Sequence, residues 1–113
     1  MNVERLAEIG AERIAAGAAG AEMSGAYTSD LLSDAMGNAE EGNVFITVQA
    51  HTNSVAVATV AGMPAILVCA NRPIPNDMTA AAEREGVWIF RTPMHQYEAS
   101  VAVWKLLGGG GAE

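Results

Sequence analysis

Apolar and polar residues alternate in blocks along this chain, and the sharpest block boundary falls in the middle. Val44-Phe45-Ile46-Thr47-Val48 is a continuous β-branched and aromatic run that stops at Gln49-Ala50-His51-Thr52-Asn53-Ser54, and a second apolar run, Val55 to Val60, follows at once. Continuous apolar runs of this length predict a strand buried on both faces. A helix from Ser54 to Ala61, capped by Thr52 or Asn53, follows it despite its β-branched content, because Gly62-Met63-Pro64 breaks the chain before the next run.

The same rhythm continues. Ala65–Cys69 reads as a strand, Asn71–Pro75 as a loop, and Asn76 as the cap of a helix reaching Glu85. Gly86 ends that helix and Val87–Phe90 is a further strand. Thr92-Pro93 is a helix start, a cap followed by proline at the first helical position. Met94, Tyr97, Val101 and Trp104 then mark the apolar face of the last helix. Upstream, Val3, Leu6 and Ile9 recur every three residues behind Asn2, which predicts a short capped helix ended by Gly10. Glu12–Ala16 fits a short strand or a continuation of that helix. Gly25-Ala26-Tyr27 leads into a capped helix at Thr28–Met36, with Thr28 or Ser29 as cap, Asp30 in the first turn, and Gly37-Asn38 as the stop. Repeated strand–helix units with short connections predict an α/β fold of three layers: a mainly parallel sheet with helices on both faces. One domain over residues 1–107 is expected, with a flexible glycine-rich tail at 108–113.

Composition narrows the partners. Half of the 113 residues are apolar but only 5% are aromatic, so the core is built of Ala, Val, Ile, Leu and Met. Such a small core gains from oligomerisation, and a homodimer is expected. The net charge of −7, one lysine and five scattered arginines argue against a nucleic-acid partner. The amino terminus has no signal-peptide core, and no run reaches the ~18 apolar residues of a membrane helix, so a cytoplasmic protein without a membrane partner is expected. Cys69, the single cysteine, sits in an apolar run and reads as a buried small residue. No metal framework and no cofactor motif is present: GxxxxGK[ST], GxGxxG and GxSxG are absent.

Candidate chemistry gathers where strands are expected to end. Gln49, His51, Thr52 and Asn53 follow the first long strand, at the carboxyl edge where α/β sheets bind ligands. His51 can serve as base, ligand donor or turn-stabilising side chain, but no acid or nucleophile lies near it in sequence. Thr52 and Asn53 read equally as helix caps, and the same helix start offers N–H groups to a phosphate or carboxylate. Thr28 and Asp30 sit at another expected helix start that, in a doubly wound sheet, shares that edge. Arg72, in a later loop, supplies a positive charge there or is simply solvated. His95, in the first turn of the last helix, reads as a surface residue. Trp88, Phe90, Tyr97 and Trp104 read as core or dimer-interface residues, because apolar rather than basic neighbours flank them.

The segments Gly25–Ser33 and Ile46–Ala58, with Ala65–Val68, Glu85–Phe90 and the last helix, resemble the DRTGG domain family over nearly the whole chain. Glu22-Met23-Ser24-Gly25-Ala26 stands where that family has Asp-Arg-Thr-Gly-Gly, so the arginine is replaced by Met23. Such domains occur alone and as accessory regions of phosphotransacetylases and of CBS-domain inorganic pyrophosphatases, and are similar to the amino-terminal domain of HPr kinase/phosphorylase. No counterpart of that enzyme's P-loop kinase domain is present. The resemblance implies an α/β domain that self-associates and regulates an attached or neighbouring enzyme. Three functions stand open: a non-catalytic regulatory or ligand-sensing homodimer taking a small anionic metabolite or nucleotide; an interaction subunit of a larger enzyme complex; and, least favoured, a small phosphotransfer or hydrolytic enzyme using His51 with Asp30.

Overall fold

The computed structural model describes residues 1–109. A 3-10 helix at Val3–Ile9 opens the chain. Five strands follow: β1 (Glu12–Ala15), β2 (Gly25–Thr28), β3 (Asn43–Thr47), β4 (Ala65–Val68) and β5 (Trp88–Arg91). Four helices, α1 (Leu32–Asn38), α2 (Thr52–Ala61), α3 (Asn76–Glu85) and α4 (Gln96–Leu106), alternate with the last four strands. The strands form one sheet in the order β1-β5-β4-β3-β2. β2 to β5 are parallel, and β1 closes one side antiparallel to β5.

Burial explains the layering. Every residue of β4 and all of β3 after Asn43 are buried, as continuous apolar runs require. Side chains alternate across the sheet. Phe45, Ile66, Val68 and Ile89 pack with Ala35 of α1, Val55 and Ala58 of α2, and Met78 and Ala82 of α3. On the opposite face Val44, Ile46, Leu67 and Phe90 pack with Val3, Leu6, Met23 and the α4 residues Ala99 and Val103. The three crossover helices therefore share one face, and the 3-10 helix and α4 cover the other. The strands β2 to β5 lie side by side in chain order, and right-handed crossovers then keep every connecting helix on the same side. The three-layer α/β reading holds. The doubly wound arrangement does not, because the strand order never reverses within the parallel set.

Several boundaries shift for identifiable reasons. Thr28 is the last residue of β2, an edge strand too short and too weakly apolar to announce itself. The helix expected at Thr28 begins at Leu32, continues through Gly37 and Asn38, and has no side-chain cap. The Ser29 hydroxyl instead accepts the Leu31 N–H at 3.0 Å, and Asp30 lies ahead of the helix rather than in its first turn. Asn76 is inside α3, with Pro75 at the cap position. The last helix begins at Gln96, not at Pro93, because buried Thr92 is bound to the sheet: its N–H donates to the Val68 carbonyl at 2.9 Å and its Oγ1 accepts the Met94 N–H at 3.2 Å. Exposed His95 precedes α4 and donates its N–H to Glu98 at 3.0 Å.

Half of the expected apolar stripe of α4 points away from the core: Met94 packs against it and Val101 is half-buried. Ala99 and Val103 face the sheet, whereas Tyr97 is 80% and Trp104 56% exposed. Two apolar stripes run along this helix, and the smaller side chains permit the closer approach to β2 and β3. The Ala/Gly stretch after β1 also has a reason: a Cβ on Gly17 would lie 2.6 Å from the Gly86 carbonyl and the Trp88 nitrogen, and the Trp88 indole donates to the Ala18 carbonyl at 2.8 Å. Of the glycine-rich segment read as a tail, Gly108 and Gly109 close α4 through bonds to the Lys105 and Trp104 carbonyls. Residues 110–113 lie outside the described residues.

Candidate functional site at the carboxyl edge of the parallel strands

Because β2, β3, β4 and β5 run parallel, their exits share one edge of the sheet. That edge carries Thr28 at the end of β2 and Asp30 beyond it, Gln49 and His51 after β3, Arg72 after β4 and His95 after β5. Hydrogen bonds join several of these exits. Gln49 Nε2 donates to the Asp30 carbonyl at 2.8 Å, tying the ends of β2 and β3. The Thr28 and Ser100 hydroxyls lie 2.7 Å apart, which ties β2 to α4. Gln96 Oε1 accepts the Val48 N–H at 3.0 Å, anchoring the start of α4 on the exit of β3.

His51 is itself the cap of α2. Its Nδ1 accepts the Asn53 N–H at 3.0 Å and its carbonyl accepts the Ser54 N–H at 2.9 Å. Thr52 and Asn53, expected as caps, are the first two helical residues. Two first-turn donors of α2 are thus already bonded within the chain, leaving that helix start fewer N–H groups for an anion than expected. In that contact Nδ1 is the acceptor, and the imidazole is exposed. The Ser54 hydroxyl, which is buried, donates to the Gln49 carbonyl and fixes the loop between them.

The β4 exit is strained. Ala70 and Asn71 both adopt left-handed backbone, at φ 58° and 54°. With the Arg72 N–H reaching the Cys69 carbonyl at 3.3 Å, this is a tight turn of the primed type. Asparagine tolerates that region, whereas alanine there costs roughly 1–2 kcal/mol. The strain is held by two bonds to the neighbouring exit, Ala70 N–H to the Met94 carbonyl at 2.7 Å and Asn71 N–H to the Thr92 carbonyl at 2.9 Å. Strained turns of this kind cluster at functional sites. The turn presents Arg72, exposed, at the same edge. Asn71 was the one sequence signal for it.

A groove of about 610 Å³ between α2 and α3 takes in Thr52, Asn53, Asp77 and Arg84, and a cleft of about 360 Å³ beside β2 takes in Thr28, Ser100 and Trp104. Neither includes Asp30, Gln49, His51 or Arg72. The edge therefore collects the expected residues along a line without enclosing them in one cavity. Among the described residues no cluster of three His, Cys, Asp or Glu side chains could hold a metal. Cys69 is fully buried, and burial pushes its thiol up to about 11, so it is no nucleophile near neutral pH. No described helix is long and apolar enough to cross a membrane.

One polar pair was not foreseen. Tyr27 in β2 donates its phenol to Asp34 in α1 at 2.9 Å, and Asn38 donates to the same carboxylate at 3.1 Å. The Ser29 hydroxyl, Tyr27 and Asn38 together hold the Asp34 carboxyl below its ordinary range, and the bond to Asp34 raises the Tyr27 phenol. Met23, at the position where the DRTGG resemblance has arginine, is 1% exposed and packs with Leu6, Ile46 and Val103. In this chain the position serves the core.

Comparison with known proteins adds a fold-level likeness. No family model and no curated protein matches the chain. Among solved structures, the CBS and DRTGG domains of the regulatory region of Clostridium perfringens pyrophosphatase, in complex with the activator diadenosine tetraphosphate, is similar with a TM-score of 0.66. The alignment covers 88% of this chain and 44% of that chain at 11% identity. This chain thus spans less than half the length of the regulatory region it matches. The class defined is an α/β fold shared with a regulatory region of an enzyme.

Proposed function

We propose that this chain is a non-catalytic regulatory or ligand-sensing module that acts as a homodimer, with the carboxyl edge of β2–β5 as its ligand site. Thr28, Asp30, Gln49, His51, Thr52, Asn53 and Arg72 are the residues proposed to meet the ligand, a small anionic metabolite or nucleotide. The observation that carries the reading is the strained Ala70-Asn71 turn, tied to the β5 exit, that presents Arg72 at the edge shared by the exits of the parallel strands. The fold-level neighbour supports it, since that region regulates a pyrophosphatase and binds a nucleotide activator. The response would pass to a partner enzyme.

Thermal unfolding with ATP, AMP, diadenosine tetraphosphate and inorganic phosphate tests the reading. A probe at ~100 times its dissociation constant stabilises by ~2.7 kcal/mol. That raises the midpoint by roughly ten degrees in a domain of this size. Arg72→Ala, at an exposed position, should abolish the rise without lowering the unliganded midpoint. If no probe shifts the midpoint, the reading as an interaction subunit of a larger enzyme complex, without a small-molecule ligand, takes its place.

A further inference from the structure

The groove of about 610 Å³ between α2 and α3 is large enough for a small organic ligand, and it opens at the carboxyl edge of the sheet. Both helices follow parallel strands, so both run back from that edge side by side and their first turns border its mouth. Thr52 and Asn53 of α2, already placed on the edge, form one wall there, and Asp77 of α3 stands on the other. The floor beyond is apolar. Val55 and Ala81 are buried in it, Ala56 and Ala80 are too small to fill it, and Val60, 72% exposed, extends it outward. Arg84 lies at the far end, two turns of α3 from Asp77, or about 10 Å along the helix. Its ion pair with Glu85 is long, at 3.7 Å, and solvent-exposed, which leaves the guanidinium plane weakly committed.

We infer that this groove is the ribose and base subsite of the edge site, and that the ligand is a nucleoside 5′-phosphate rather than a small anion alone. The inference rests on the edge site proposed above and names its ligand class. Three chemistries follow one another from the edge inward. Arg72, on the loop that leads from β4 into α3, supplies positive charge for a phosphate at the edge. Asp77 comes next. An ionised carboxylate accepts hydrogen bonds and donates none, so it repels a phosphate but takes a pair of hydroxyls, as acidic side chains take ribose in dinucleotide-binding folds. The apolar floor and Arg84 come last. They suit a planar heterocycle, which buries its faces against aliphatic side chains and stacks on a guanidinium. A nucleoside 5′-phosphate carries anion, diol and heterocycle in this same order. Inorganic phosphate or an acyl phosphate would leave the floor uncovered and bring no donor to Asp77.

Isothermal titration calorimetry on the full chain tests this, with AMP, GMP, CMP, UMP, ribose 5-phosphate and inorganic phosphate as probes. At least one nucleotide should bind more tightly than ribose 5-phosphate, and ribose 5-phosphate more tightly than inorganic phosphate. The 2′,3′-dideoxy form of that nucleotide should lose ~10-fold in affinity, the scale of a hydrogen bond to a charged group. Asp77→Ala should cost the ribonucleotide about the same factor and the dideoxy form nothing, a coupling that a merely structural aspartate would not show. Ala56→Trp and Ala80→Trp, at exposed positions on the floor, should each bring the nucleotide down to the affinity of ribose 5-phosphate. The two readouts are independent, so a floor variant that fails to fold leaves the Asp77 cycle to decide. Nucleotides that bind no more tightly than inorganic phosphate, or that are indifferent to Asp77→Ala and to both floor variants, overturn the groove and leave the edge site standing. Failure of every probe to bind overturns the edge site and the groove with it.

Discussion

The sheet ends differently on its two sides. At β1, Glu12 and Arg13 are exposed, the register breaks between Arg13 and Ala15, and Arg91 of β5 binds Glu12 at 3.2 Å. Charges and a bulge at an edge discourage another strand from adding there. Gly17 then lets the chain turn in against β5, where a single added carbon would collide with backbone. At β2 none of these devices is present, and exposed aromatic side chains stand beside the strand. The difference teaches that this fold protects one edge of its sheet with charge, a bulge and a close turn, and leaves the other without them.

Substitutions can break or sharpen this contrast. Phe45 lies fully buried in β3, next to the open edge, so Phe45→Ala should cost ~3–5 kcal/mol in urea unfolding. Gly17→Ala, at the closed edge, should cost about 1–3 kcal/mol in the same measurement by overpacking against Gly86 and Trp88. His51→Ala removes the cap of α2 and should cost ~1 kcal/mol in the same urea measurement, without changing oligomeric state.

The smallest effect is electrostatic and local to the open side. Asp34 is depressed in the folded chain, so its stabilising contribution is full above its unfolded value and is lost as pH falls through the lower folded value, below about pH 4. Tyr27 is raised, so its contribution is full below the unfolded phenol value and is lost as pH rises through the higher folded value, above about pH 10. Tyr27→Phe should flatten both limbs of the stability–pH curve. Deletion of the Glu12–Arg91 pair at the closed edge should leave those limbs unchanged.

Much of the architecture was legible because its signals are local. Asn2 and Gly10 bracket the first helix as read, and its Asn2 side chain accepts the Glu4 N–H at 2.8 Å. The buried runs Val44–Val48 and Ala65–Cys69 became strands, and Gly62 and Gly86, in left-handed backbone, end their helices as read. β2 was not legible, since four residues of mixed character become a strand only through the neighbour they pair with. The cap of α2 was misassigned by one or two residues, since His51, Thr52 and Asn53 all carry capping atoms and only backbone angles choose among them. Gathering Thr28, Asp30, Gln49, His51 and Arg72 on one edge followed from parallel strands, which the alternating pattern already implied. The bonds that join them, such as Gln49 to the Asp30 carbonyl, bridge separate exits and have no sequence signature.

By itself, then, the amino-acid sequence determined the α/β alternation, the two buried central strands, the helix stops and the polar clusters at strand exits, because each depends on residues within a few positions of one another. Tertiary structure alone decided the strand order, the face covered by α4, the burial of Met23 and the unlike edges. Those outcomes depend on which surfaces meet after the chain closes. On α4 two apolar stripes competed, and close packing on the sheet selected the smaller one, Ala99 and Val103, leaving Tyr97 and Trp104 exposed.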